Sequence, residues 1–457
     1  MFRQKVEKKI SVIIIAILFT LISMSCTRES SQTEDYSKVE GTWVRTFGST
    51  DPDVAQAIQK TDDGGYVVAG NTGNSSWGGN QDIWVMKLSL TGEPEWSKTY
   101  HFTNFDYALV VQQTDDNGYL LGGWSDGWIL MLKLFPDGNI EWQRSLQGEK
   151  GCSMQQTTDR GYIVSASVGG QIVVLKFDNS GKLQWQFGYK SPGGGNQAGH
   201  ILQTADNGYA LTGSDSSGLI FLKLDSTGGI NWQKTYGGMI YMFERLPFQL
   251  CADGGYILAQ GTNRFGAGHA DAQLVKLDAS GNIMWQRVYG GKDDEYANAV
   301  VQTDDGGFLV AGLACSFIDP QDNDGVYKKY CWLFKLSTSG DIEWEKVYGE
   351  GDSGVNCISV SGDDRFVAAG DSMYAGKNWW DLLVFKITPF GEIDTRFGST
   401  GQKPFVYRNS QALVNPAQLT SKKANLTRFA SCVSIHVSNI IAQTKDANTF
   451  LVKPIKK

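Results

Sequence analysis

Between residues 41 and 401 the chain alternates short apolar runs with tight polar turns, and no stretch keeps the 3.6-residue beat of an amphipathic helix. Ala297 to Thr303 is one such run, turned by Asp305-Gly306-Gly307 into a second, Phe308 to Gly312. An Asp-Gly step between apolar runs predicts a β-hairpin. A third strand is represented by Asp82 to Leu88, and Thr91-Gly92 turns it into a fourth, Glu95 to Tyr100. The unit recurs. Gly64-Gly65-Tyr66 returns as Asn117-Gly118-Tyr119, Arg160-Gly161-Tyr162, Asn207-Gly208-Tyr209, Gly254-Gly255-Tyr256, Gly306-Gly307-Phe308 and Asp364-Arg365-Phe366. The aromatic positions are 53, 43, 47, 47, 52 and 58 residues apart, a mean of 50. Four short antiparallel strands in about 50 residues make a propeller blade, so the pattern predicts an all-β, seven-bladed β-propeller over 41–401.

The ends of the repeat fit a closed ring. Gly41-Thr42-Trp43-Val44-Arg45-Thr46-Phe47-Gly48 reads as a fourth strand with no blade before it, and the seventh unit stops at Ile393 to Gly398 without the usual Trp. The N-terminal strand is expected to complete the last blade and remove a free edge. Eight blades, with the C-terminal tail completing one, is the alternative.

A catalytic group is needed once, whereas a packing group is needed in every blade. The recurrent Lys87, Lys133, Lys176, Lys223, Lys276, Lys335 and Lys386, and the recurrent Trp96, Trp142, Trp185, Trp232, Trp285 and Trp344, are therefore assigned to the scaffold. The Trp rings are expected between adjacent blades and the Lys amines on a nearby carbonyl or carboxylate. Asp82, Asp271 and Asp381, before the third strand, read as turn acceptors.

The consensus Thr-x-Asp-Gly-Gly-Tyr, Lys-Leu-Asp-x-x-Gly, Trp-x-Lys-Thr-Tyr-Gly-Gly, nearly whole in 204–238 and 276–291, resembles the secreted propeller repeats of bacterial and archaeal envelope proteins. The Ile393 to Gly401 segment resembles a related short repeat ending in Phe-Gly-x-x-Gly. The third-to-fourth-strand piece is similar to the tryptophan-docking repeat of quinoprotein propellers and of outer-membrane assembly lipoproteins. The resemblance covers about 41–401 and implies the fold. Most members of the first group have no assigned activity, so it implies little about chemistry.

The termini change the picture more than the bulk composition does. Residues 1–25 carry Arg3, Lys5, Lys8 and Lys9, an apolar run from Ile10 to Ile22, then Ser23, Met24 and Ser25, the order of a secretory signal. Cys26 resembles the acylated first residue of a bacterial lipoprotein, and residues 26–40 then read as a solvated tether. The expected address is the cell envelope, lipid-anchored at the outer membrane or cell surface, with plain secretion as the alternative. Residues 402–457 hold nine basic side chains against Asp446, a charge of +8; residues 1–25 carry +3, and with the chain at −7 this leaves −18 on residues 26–401. The basic tail is a poorly ordered terminus, a sorting or partner-binding extension, or a segment lying back on the acidic body. An acidic body argues against nucleic acid as partner.

Candidate chemistry is sought where one blade departs from the others. Alignment on Gly-Gly-Tyr puts Asp53, Asp106, Glu149, Asn196, Phe243, Glu295 and Ser353 at the start of the innermost strand, four of the seven acidic. Such a ring could bind calcium or a cationic group, making calcium the candidate cofactor. Trp77, Trp124, Trp128, Trp379 and Trp380 fall in the upper loops of blades 1, 2 and 7, neighbours once the ring closes, and suit a surface that stacks sugars or grips a protein loop. A long insertion in blade 6 carries Asp319, Asp322 and Asp324, a weaker calcium candidate without EF-hand spacing, flanked by Cys315 and Cys331 as a candidate disulfide. In blade 5, Met239 to Leu250 replaces the usual first strand, with Arg245 and Pro247 on the channel wall. The four His share no spacing, no metal-ligand cysteine pair occurs, and neither a nucleophile elbow nor a phosphate loop is present. The expected role is a monomeric, non-enzymatic binding or scaffolding module for an envelope protein or glycan. An enzyme acting on glycans, or a quinoprotein-type dehydrogenase, is the alternative.

Overall fold

The computed structural model describes residues 40–48, 51–73, 80–149, 152–191, 195–216, 218–237, 240–241, 246–263, 266, 269–316, 329–349, 352–373 and 379–393, with the backbone of six short strands between 407 and 446. The signal segment, Cys26, the tether, Trp77, Arg245, Asp319, Asp322 and Asp324 lie outside the described residues.

Seven antiparallel sheets follow one another along the chain. Blade 1 is Asp53–Lys60, Tyr66–Gly73, Gln81–Leu88 and Pro94–His101; blade 2 is Asp106–Gln113, Tyr119–Ser125, Trp128–Leu134 and Ile140–Gln147. Blade 6 is Glu295–Gln302, Phe308–Ala314, Tyr330–Leu336 and Ile342–Tyr348, and blades 3 and 4 repeat the plan. In blade 5 the innermost strand is broken into Ile240–Tyr241 and Phe248–Leu250, both paired with Tyr256–Thr262. Blade 7 takes Ser353–Val360, Phe366–Ser372 and Asp381–Ile387 from the end of the repeat and Trp43–Phe47 from its beginning, with Trp43 opposite Lys386 and Phe47 opposite Leu382. The ring is closed by the N-terminal strand, and there are seven blades.

Each consensus residue has one local task. In the first hairpin of blade 1, Asp63 accepts from the Thr61 hydroxyl and from the Gly65 amide, while Gly64 takes a positive φ of 85°. The amine of Lys87 reaches the same carboxylate at 2.8 Å, together with the Leu88 carbonyl. The pair recurs in every blade as Lys133–Asp116, Lys176–Asp159, Lys223–Asp206, Lys276–Asp253, Lys335–Asp305 and Lys386–Asp363. Burial pushes these carboxyls up, but the Lys, Thr and glycine-amide hydrogen bonds outweigh it and hold Asp63, Asp206 and Asp305 at about 2.

The Trp rings lock blade to blade. Trp43 donates its indole N–H to the Leu90 carbonyl of blade 1 and meets Tyr66 edge-on at 5.9 Å; Trp96 does the same with Pro136 and Tyr119 of blade 2. Beneath each ring lies the glycine of the neighbour's second hairpin turn, such as Gly281 under Trp232, where a Cβ would come within 2.7 Å of the indole. In five seams a Tyr four residues after the Trp donates to that glycine's carbonyl, as Tyr236 does to Gly281; Leu146 and Phe47 hold the position in the other two. The hydrophobic core is thus a circle of clusters set between blades, each seam fixed by a ring and a glycine and five of them also by a hydroxyl.

The tail strands add a fifth strand outside six blades, in reverse order around the ring. Tyr407–Asn409 pairs with blade 6, Leu413–Asn415 with blade 5, Ser421–Lys423 with blade 4, Thr427–Ala430 with blade 3, Ile435–His436 with blade 2 and Gln443–Asp446 with blade 1. Edge pairing of this kind uses main-chain groups, which explains why the tail needs no copy of the blade consensus.

Candidate functional site

The start of each innermost strand, the end of each fourth strand and the start of each third strand meet at one rim. At that rim, the position five residues after the docking Trp is Gly in four blades, Gly48, Gly237, Gly290 and Gly349. The glycine has a packing reason: a Cβ at Gly48 would overlap the Asp381 carboxylate, and one at Gly290 would overlap Asp271. Blade 1 places His101 there instead, and its ring enters the seam with blade 2.

His101 Nδ1 lies 2.8 Å from Asp82 Oδ1 and 3.9 Å from Asp106 Oδ2. One donor atom from each of the three side chains falls within 4.8 Å of the others. The two carboxylates differ in environment. Asp106 is fully buried and accepts from the amides of Phe102 and Thr103 and from the hydroxyls of Thr103 and Ser125. Burial raises its carboxyl above the usual range, against the pull of Ser125, those amides and the His101 charge. Asp82 and His101 keep side-chain exposures of 31% and 39%, so this pair faces solvent while Asp106 ties down the loop behind it. The donor set could hold a divalent cation only at the expense of the bonds Asp106 already accepts.

Ser125 connects this cluster to the aromatic rim. It closes on Trp128 through Asp126-Gly127, both at positive φ (39° and 87°), the two-residue turn that suits a twisted hairpin. Trp128 packs half-buried with Phe102 against the blade 1–2 core, and Trp124 half-buried against the blade 2–3 core, 6.2 Å from Tyr107. Trp379 is 41% exposed in blade 7, and the Trp380 carbonyl accepts the Asp53 amide, linking blade 7 to blade 1.

The remaining acidic positions are dispersed. Asp53 and Glu295 are fully buried, each in its own seam; Glu295 accepts from the amides of Gly291 and Ser316. Glu149 is exposed and accepts from the Gly170 amide. Glu295 and Glu149 thus cap backbone amides, and among the described residues the one group placed to hold a metal ion takes in Asp106 but not Asp53, Glu149 or Glu295. Asn196 has the same capping task, its oxygen on the Ser191 amide. Cys315 and Cys331 are buried free thiols, so the structure does not join them; burial pushes Cys315 up to about 12.

A cavity of about 250 Å³ occupies the central channel, walled by Gln56, Ser153, His200, Phe248, Asn298 and Asn356 among others. Its described wall carries no carboxylate. Asn298 and Asn356 donate to Val355 and Ala55 carbonyls of the next blade, so the polar wall groups stitch the ring. A second cavity, about 470 Å³ between blades 6 and 7, is lined by Lys335, Asp305 and Trp344, repeat residues present in its neighbours too.

Sequence reasoning passed over His101 because it was compared with the other histidines. The signal lay in the repeat, where His stands in the Tyr-Gly-Gly consensus as Tyr100-His101-Phe102.

No family model and no curated protein matches this chain. Among solved structures, virginiamycin B lyase from Staphylococcus aureus is similar at 12% identity and a TM-score of 0.48, over 76% of this chain and 99% of that one. A protein of unknown function from Bacteroides caccae is similar at 14% identity and a TM-score of 0.38, over 65% and 93%. A further protein of unknown function, from Dyadobacter fermentans, is similar at 11% identity and a TM-score of 0.41, over 76% and 99%.

Proposed function

We propose that this chain is a non-enzymatic binding propeller of the bacterial envelope, lipid-anchored through Cys26, that takes an envelope glycan at the rim of the blade 1–2 seam. The observation that carries the reading is the departure at His101. Where four blades keep a glycine and blades 2 and 3 carry Gln147 and Lys190, blade 1 spends a half-exposed imidazole held by Asp82, beside the half-buried Trp128 and Phe102. A hydrogen-bonding pair next to aromatic surface is the equipment that recognises a sugar ring, which offers hydroxyls at its edge and an apolar face. The recurrent Trp rings lock blade to blade, the recurrent Lys–Asp pairs tie the first hairpin to the third strand within each blade, and the described channel wall offers no carboxylate pair for glycosidic chemistry.

The test is a tryptophan-fluorescence titration of the full chain in detergent with oligosaccharides from peptidoglycan and from lipopolysaccharide, with calcium as a parallel titrant. A saturable change that weakens at least tenfold in His101→Gly, with melting temperature unchanged, supports the reading. Equal affinity of both proteins refutes the site. Silence across the panel, with a specific cross-link to one envelope protein in cells, would replace the glycan by a protein partner, and release of reducing ends would make the chain an enzyme.

A further inference from the structure

The first-hairpin turns lie at the opposite rim from His101, and each meets the blade that follows it. In four of these contacts a glutamine of the following blade crosses over: Gln113, Gln156, Gln203 and Gln302 accept from the amides of Asp62, Asp115, Thr158 and Ala252. Blade 7 has Val360 at that position, a short branched side chain with no acceptor. The cavity of about 470 Å³ between blades 6 and 7 opens there, with Val360, Trp344, Phe366 and Phe390 on its wall. Phe390 is 69% exposed and stands where the other second-hairpin turns carry Asp137, Ser180, Thr227, Ser280, Ser339 and Thr91. An aromatic tip and an open floor thus occur together in this seam.

The charges around this cavity differ from those of its sister seams. Between blades 2 and 3, Arg160 meets Asp115 at 3.5 Å, and between blades 3 and 4 the Thr158 hydroxyl donates to Asn207 at 3.3 Å. The same two positions between blades 6 and 7 are Asp304 and Asp364, both exposed and both lining the cavity. Asp305 and Glu343 line it too, and Lys335 is committed to them at 2.8 and 3.0 Å. Lys346, near the Trp344 ring, is held on the Phe390 carbonyl at 2.7 Å. Four carboxylates therefore surround the cavity against the one ammonium of Lys335, and two of the four are set where a sister seam pairs an acid with a guanidinium. Like charges at such a contact repel, and a cation between them removes the repulsion. We propose that the blade 6–7 cavity binds an alkyl guanidinium, its charge between Asp304 and Asp364 and its stem along Trp344, Phe366 and Phe390. Guanidinium pairs with carboxylates through charge-assisted hydrogen bonds, and aromatic faces accept both its plane and its methylenes. An arginine side chain of a partner protein and a free guanidino amine offer the same chemistry. The site lies at the opposite rim from His101, so this inference does not depend on the glycan reading.

The test is isothermal titration calorimetry of the full chain in detergent at low salt, with agmatine, with a capped Gly-Arg-Gly peptide, and with the same peptide carrying citrulline, the neutral analogue of arginine. Agmatine or the arginine peptide is expected to bind saturably, at least tenfold more weakly in Asp364→Arg and in Val360→Gln, and equally in His101→Gly. Asp364→Arg rebuilds the pair that Arg160 makes with Asp115, and Val360→Gln rebuilds the bridge that Gln302 makes with Ala252, so each should keep the melting temperature while it fills the site. Tighter binding of the arginine peptide assigns the cation to a partner protein, and tighter binding of agmatine to a free amine. Absence of binding to the wild-type chain, equal binding of the citrulline peptide, or unchanged affinity in both variants overturns the proposal.

Discussion

Asp371 offers the sharpest quantitative test of how the seams balance charge. It occupies in blade 7 the position that Asn71 holds in blade 1, five residues after the first-hairpin aromatic, and Asn71 donates there to the Asp106 carbonyl of the next blade. Burial raises the Asp371 carboxyl, Asp352 raises it further, and the Lys329 charge and the Asn356 amide at 3.4 Å offset this in part, leaving it at about 7. A carboxyl whose folded value lies above its unfolded value of about 3.9 adds stability at low pH, and that contribution is lost as pH rises through the folded value. Asp371→Asn keeps the shape and removes the titration. Between pH 5 and pH 9 the wild-type protein should therefore lose stability relative to Asp371→Asn by roughly 1.5–3 kcal/mol, the upper figure being two units of titration at about 1.4 kcal/mol each. The assay is urea denaturation followed by tryptophan fluorescence for both proteins at pH 5, 7 and 9. Groups common to both proteins cancel in the difference. A gap of the same size at all three pH values would show that Asp371 titrates as an ordinary carboxyl and would refute the reasoning.

Four further outcomes follow from the repeated machinery. Gly281→Ala, at φ 72° and with its new Cβ against the Trp232 ring, should cost about 2–3 kcal/mol, read as a fall in melting temperature, whereas the same change at the exposed Gly254 should cost about 1 kcal/mol. Asp206→Ala should destabilise by about 2 kcal/mol, because the buried Lys223 amine keeps only the Leu224 carbonyl, and Lys223→Met by under about 1 kcal/mol, because Asp206 is half-exposed to water. With Asp206 held at about 2, the stabilisation is present above pH 4 and lost as pH falls towards 2, so Asp206→Asn should flatten acid denaturation in that window; an unchanged profile would refute the pairing energetics. Arg160 stands at φ 64° where three blades have glycine, and Arg160→Gly should raise stability by about 0.5–1 kcal/mol in the same urea assay.

What could be read from sequence divides along a physical line. The blades, the seven-fold count, the closing strand and the docking Trp rings were legible because each depends on a side chain that must recur: glycine at a positive φ, an aromatic ring in a seam, an amine on a carboxylate. The Asp53, Asp106 and Glu295 positions were legible as strand starts but not in their orientation. A short acid beside a loop turns towards bare amides more readily than towards an open channel, and only coordinates show that Asp106 meets the Phe102 and Thr103 amides. His101 was hidden for a different reason: a singular residue carries no period of its own and is visible only as the gap it leaves in another residue's period.

The tail marks the boundary most clearly. Its net charge invited either disorder or contact with the acidic body, and charge alone cannot choose between them, because screened attraction has no register. Main-chain pairing does have register, and it leaves a trace in sequence only through the spacing of residues that must face the same way. The trace here has a period of seven, one blade's width, while the blades themselves repeat near fifty. A search tuned to the longer period passes straight over the shorter one. The two periods describe one object, since a strand laid around the outside of a ring must advance by one blade each time the ring does. Five steps carry the tail past six blades, four of them seven residues long and the last nine, and each lands opposite the residue four places after the docking Trp.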